Sequence, residues 1–132
     1  MKKEFRVSSD LSKVQETSSD VLGFLKPAGL SESALYDIRL CLEEALINAM
    51  KYGNGLDRSK PVRLDVEFDK RQVRVSVEDE GPGFSPRKLA DCTRDDNLLK
   101  GSGRGVHLIR HLMDRVEYNE KGNRVMMVKY LS

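Results

Sequence analysis

Glu44 and Asn48 stand four positions apart in the stretch EEALINAMKYGN (43–54), so on a helix they lie one above the other on one face. A carboxylate and an amide oxygen at that spacing suit one side of a hard-cation site such as Mg²⁺, which keeps several waters and takes few protein ligands. The carboxylate could instead orient or deprotonate a nucleophile beside a phosphate. Glu and Asn are also ordinary residues of a solvated helix surface. What separates this pair from that background is its place beside Ala45 and Ala49, small members of an apolar stripe. Both polar side chains should therefore sit at the boundary of the core.

Two glycine-rich stretches follow. DEGPGF (79–84) comes directly after an alternating apolar run ending at Val77. Asp79 at that strand end can accept a hydrogen bond from an exocyclic amine such as that of adenine, while Gly81 and Gly83 let the next peptide units curve inward. A plain strand-ending turn uses the same residues. GSGRG (101–105) precedes the apolar-periodic stretch VHLIRHLM. Free amides at a helix start, with glycines permitting close approach, make a phosphate site, and Ser102 and Arg104 could add a hydroxyl and a cation. The bland reading is a hinge before a helix. Neither stretch is a P-loop, because GxxxxGK[ST] is missing, nor a dinucleotide fingerprint, because no parallel βαβ unit surrounds it.

His107 and His111 have a spacing that can hold a metal on a helix face, but no HExxH and no nearby cysteine accompanies them, so helix packing is the better reading. Cys41 and Cys92 form no CxxC pattern and read as reduced thiols.

The elements that must position these residues follow from periodicity. Residues 4–7 form a short strand, and Asp10 caps a helix carrying Leu11, Val14, Val21, Leu22 and Leu25, interrupted by Ser18 and ended at Pro27 and Gly29. Ser31 caps a second helix through Leu35, Ile38, Leu42, Ala45 and Ala49, stopped by Gly53 and Gly55. The period then changes to two: Val62, Leu64, Val66 and Phe68 alternate with charges, as do Val73, Val75 and Val77, with Asp69-Lys70-Arg71 between them. That is an antiparallel hairpin with one wet face. Residues 85–103 show no period, a helix runs from about Gly103 to Met113, and a last hairpin pairs 115–119 with 124–131. The order β-α-α-β-β-loop-α-β-β predicts an α+β, two-layer sandwich with helices on one face of a mixed, mostly antiparallel sheet.

At 132 residues the chain has the size of one domain, 1–132, and can bury roughly two-thirds of its unfolded surface without a disulfide or metal. With 23 basic and 21 acidic residues its net charge is +2, too balanced to indicate nucleic acid or a membrane. The N-terminus lacks the apolar run of a signal peptide, and a cytoplasmic location is expected.

Taken together, the spans EEALINAMKYGN, DEGPGF and GSGRGVHLIRHLMDRV resemble the three boxes of the GHKL superfamily of ATP-binding domains, shared by gyrase, Hsp90, histidine kinases and MutL. Within it the chain looks most like the bacterial anti-sigma-factor serine kinases. The resemblance covers nearly the whole chain and implies a Bergerat-type fold, ATP with Mg²⁺, and transfer of phosphate to a serine of a STAS-fold anti-anti-sigma protein. A sigma factor and a homodimer are further implied possibilities. By position, Asn48 would hold the Mg²⁺ and Glu44 would act as the base. Asp79 would bind the adenine amine, with Gly81 and Gly83 shaping the pocket. Gly101, Ser102, Gly103, Arg104 and Gly105 would close over the phosphates, and 85–100 would form a lid. Many relatives carry Gly-Thr before the final strand, where this chain has Gly122-Asn123, so that hydroxyl has no obvious counterpart. A nucleotide-dependent binding module without transfer chemistry is the competing expectation.

Overall fold

The computed structural model describes residues 1–81 and 101–131, with 101–106 described by their backbone alone. Strand β1 (Lys2–Ser8) leads into Asp10, whose carboxylate accepts from the Ser12 amide at 3.0 Å and starts a short 3₁₀ turn, Leu11–Lys13. Helix α1 (Val14–Leu25) continues from it. Helix α2 (Glu32–Asn48) starts at Ser31, whose hydroxyl accepts from the Ala34 amide at 3.1 Å, an N-cap of the expected kind. Strands β2 (Pro61–Phe68) and β3 (Gln72–Glu78) form the hairpin. Asp69 closes its turn by accepting from the amides of Arg71 and Gln72. Helix α3 (Gly101–Leu112) is followed by β4 (Arg115–Tyr118) and β5 (Arg124–Tyr130).

The five strands lie in the order β1-β2-β3-β5-β4, and every pairing among the described residues is antiparallel. The expected sheet had room for a parallel pair; here even the strands joined through helices, β1 with β2 and β3 with β5, pair antiparallel. Register puts Leu64 opposite Val77 and Val75 opposite Met127, so one face of the sheet is continuously apolar. That face is covered by Val21 and Leu25 of α1, Ile38, Leu42 and Leu46 of α2, and Ile109 of α3, all 1% exposed or less. At about 1.5–3 kcal/mol for each large apolar side chain, this layer supplies the main driving force for folding. Phe24 meets Phe68 edge-on at 5.4 Å between ring centres, tying α1 to β2. The opposite face carries alternating charges, with Arg63 paired to Glu78 at 3.0 Å and Arg74 to Glu67 at 3.2 Å.

Two polar interruptions of the apolar stripes have clear reasons. Ser18, fully buried in α1, donates to Glu43 of α2 at 2.9 Å. Lys129 of β5 donates to Asp37 of α2 at 3.1 Å and to the carbonyl of Leu112 at 2.7 Å, so one ammonium ties together the sheet, α2 and the C-terminal end of α3. A cation at a helix C-terminus meets the negative end of its dipole.

The third helix opens earlier than its sequence pattern suggests. Gly101, Ser102, Gly103, Arg104 and Gly105 are its first residues and not a loop before it. The apolar period gives no sign of those positions, because none of the five is a residue with a large apolar side chain. Gly83 and the expected lid, 85–100, lie outside the described residues.

Candidate functional site

The end of α2 is where the site begins. After Asn48 the helix widens into a π segment, Ala49–Gly53, closed by the Asn54 amide donating to the Ala49 carbonyl at 2.8 Å. One extra residue in the turn swings Tyr52 and Gly53 away from the positions a continued α-helix would give them, a distortion often met at functional sites. Gly53 thereby comes to lie against Asp79. A methyl group on Gly53 would stand 2.3 Å from the Asp79 carboxylate, and one on Gly81 would stand 2.0 Å from the Gly53 carbonyl oxygen. Both glycines are therefore required by close approach, one to a side chain and one to backbone.

Asn48, Gly53 and Asp79 line one cleft, together with Tyr52, Tyr118 and Asn123, and its cavity volume is about 90 Å³. Ala45, Ala49, Val77, Ile109 and Val125 make its apolar floor. An apolar cleft with a few convergent polar groups is the usual form of a small-molecule site. Asp79 follows the last residue of β3. Its Oδ1 accepts from the Gly81 amide at 2.8 Å, which leaves Oδ2 without a hydrogen bond among the described residues. Burial raises the carboxyl above its ordinary value of 3.8, with the neighbouring Glu78 charge adding to the rise and the Gly81 amide opposing it.

Glu43 and Glu44 are adjacent in sequence but differ in use. Glu43 accepts from Ser18 and from Arg39 and is a strut between helices. Glu44 and Asn48 are half-buried and make no hydrogen bond among the described residues. Beside them Cys41 is buried, and its thiol is pushed up to about 12 by burial and then by the Asp37 charge, so it is no nucleophile. His107 and His111 lie on the exposed side of α3 with rings stacked at 6.3 Å, and no group of three metal-ligating side chains occurs among the described residues. The cleft thus brings together Asn48 and Asp79; Gly81 lies against the Gly53 carbonyl and Glu44 one turn back along α2, and neither is among its lining residues. The side chains of Ser102 and Arg104 lie outside the described residues.

Sequence reasoning took Gly53 for a helix stop and passed over Asn54 and Tyr52. The glycine follows Asn48 by five residues and could have been read as a contact point, but only the π turn aims it at Asp79. Asn54 is 3% exposed, and its environment is assembled from residues 9, 60, 61 and 80, which sequence spacing does not connect.

Helices thus pack on one face of an antiparallel sheet, with an acid after the central strand and an amide at the end of α2. The chain belongs to the histidine kinase-like ATPase domain family, whose model matches residues 7–129, and such a domain implies ATP as its ligand. More particularly, it is similar to the serine-protein kinase RsbW of Listeria monocytogenes, 28% identical over 117 residues, 83% of this chain and 74% of the relative. The Staphylococcus aureus protein of the same name is 26% identical over 137 aligned positions, covering 97% of this chain and 86% of that one. Among solved structures, the RsbU and RsbW domains of Rv1364c from Mycobacterium tuberculosis share the fold, with TM-score 0.66 and 14% identity. The match takes in 98% of this chain and spans about a third of that longer one.

Proposed function

We propose that the protein is an ATP-dependent serine protein kinase of the partner-switching kind, acting on a serine of a small STAS-fold anti-anti-sigma protein. The observation that carries this reading is the pairing of Glu44 with Asn48 on the last turns of α2. The first carboxylate of the pair Glu43–Glu44 is spent on packing and the second makes no hydrogen bond among the described residues. A module that only binds nucleotide has no need of a reserved base one helical turn from the amide. Similarity to proteins named serine-protein kinases supports the same reaction class.

In this reading Asp79 accepts a hydrogen bond from the adenine amine through Oδ2, and the apolar floor takes the ring. Asn48 offers one hard oxygen, which fits a Mg²⁺ that keeps its waters and arrives with the phosphates. That ion supplies charge neutralisation on the phosphates when bound. The amides at the start of α3, which lack partners within the helix, face the phosphates together with Ser102 and Arg104. Gly81 and Gly83 shape the approach to the base. Glu44 orients the serine hydroxyl and accepts its proton as the serine oxygen bonds to the γ-phosphorus and the bond from that phosphorus to the β,γ-bridging oxygen breaks, releasing ADP. A sigma factor and a second copy of the chain are further partners of this proposal.

The experiment is transfer of labelled γ-phosphate to a STAS-fold partner by the wild type and by Glu44→Gln. The variant should keep ATP binding and nucleotide-dependent association with the partner, while transfer falls by about 10²-fold or more. Unchanged transfer by Glu44→Gln would remove the assigned base. An intact association without transfer in either protein would favour the binding module.

A further inference from the structure

One peptide group at the site is held from both sides. The carbonyl oxygen of Asp79 accepts from Asn123 Nδ2 at 2.9 Å, and the next amide, that of Glu80, donates to Asn54 Oδ1 at 2.8 Å. The two asparagines come from opposite parts of the chain, one from the turn after α2 and one from the turn before β5. Each is itself fixed. Asn54 Nδ2 shares its hydrogens among Ser9 Oγ, the Lys60 carbonyl and the Pro61 carbonyl at 3.0–3.2 Å. Asn123 Oδ1 accepts from Asn119 Nδ2 at 2.7 Å, and the Asn123 carbonyl accepts from the Asp79 amide at 2.9 Å.

We propose that Asn54 and Asn123 are positioning residues for base recognition: by gripping the Asp79–Glu80 peptide they hold the Asp79 carboxylate at the angle from which Oδ2 faces the cleft. The proposal rests on the reading of Asp79 as the base-binding acid. Torsion about that peptide would carry the carboxylate with it, and the Gly81 amide, which belongs to the next peptide of the same turn, is no independent anchor. A clamp of neutral amides does this without adding a charge beside an acid whose carboxyl is already raised by burial. Asn123 spends one Nδ2 hydrogen on the Asp79 carbonyl and accepts at Oδ1 from Asn119, so the contribution proposed for it here passes through Asp79.

The test compares ATP with inosine triphosphate, which carries a carbonyl where adenine has its amine, by calorimetric titration of the wild type, Asp79→Asn, Asn54→Ala and Asn123→Ala. Amide hydrogen exchange is followed in the free proteins. Wild type should prefer ATP, and Asp79→Asn should lose the preference. Each asparagine variant should lower the ATP:ITP affinity ratio by about 5- to 10-fold, the worth of one hydrogen bond, while ITP binding changes less. A general loss of stability would weaken both nucleotides alike and leave the ratio unchanged. Exchange at Glu80 should quicken in Asn54→Ala while Val75, inside the sheet, stays protected. A wild-type ratio in both asparagine variants would overturn the clamp. No preference in the wild type itself would instead overturn the role of Asp79, and Glu80 exchange unaltered by Asn54→Ala would then overturn the grip as well.

Discussion

Asp79 carries a conflict between stability and binding. Its folded-state carboxyl is raised by burial, so the stability linked to it is present below the ordinary value of 3.8 and is lost as pH rises through the folded value. At pH 7 the ionised acid is thus a net cost to the free protein. Asp79→Asn should therefore raise the melting temperature of the nucleotide-free protein at pH 7, and the gain should disappear below about pH 3.8, as thermal scans across that range will read. The same variant should lose about 1.5–3 kcal/mol of ATP affinity, the usual worth of a hydrogen bond to a charged group. A variant that melts higher and binds worse is the signature of a residue retained for its ligand. The place of Asp79 at a strand end was legible from DEGPGF because the acid directly follows the alternating valines. The commitment of its Oδ1 to Gly81, which decides the oxygen left for a ligand, depends on the fold of the turn.

At the scale of elements, the π segment Ala49–Gly53 determines what reaches the cleft. Gly53→Ala places a methyl group 2.3 Å from the Asp79 carboxylate, which must leave the Gly81 amide to move aside, so it should cost less stability than a clash with backbone but at least tenfold in ATP affinity. Gly81→Ala meets backbone 2.0 Å away, which cannot yield as cheaply, so it should cost about 1–3 kcal/mol of folding stability in urea titration. The opposite ranking would mean that Asp79 is not seated against Gly53. The helices and hairpins themselves were readable, because Ser31, the alternating valines and the Asp69 turn each state their element locally. The π turn was not, since AMKYG has no local preference that distinguishes five residues per hydrogen-bonded step from four. The early start of α3 at Gly101 escaped for a related reason: glycines and polar residues leave no apolar period to follow.

Across the whole molecule, the Lys129–Asp37 ion pair joins sheet and helix layers. Lys129 and Asp37 are 16% and 21% exposed at their side chains, and the lysine also caps α3 at Leu112. Lys129→Met keeps the packing of the aliphatic stem but leaves a half-buried carboxylate and a helix carbonyl without their donor. It should cost about 1–3 kcal/mol, measured by urea unfolding, and Asp37→Asn should cost less because the Leu112 contact survives. Sequence could not have paired residues 92 positions apart in chains of such ordinary charge. The glycine stretches that prompted the nucleotide reading are separated likewise, but their order and spacing, with EEALINAMKYGN ahead of them, are what made the family recognisable.

Whether Asn48 and Asp79 form one nucleotide site is read by calorimetric titration of the purified protein with ATP, with Mg²⁺ and then with EDTA. Binding should depend on Mg²⁺, fall at least tenfold in Asn48→Ala and weaken in Asp79→Asn, with both variants folded. Absence of any heat or thermal shift at millimolar ATP, or binding indifferent to both substitutions, would contradict a shared site.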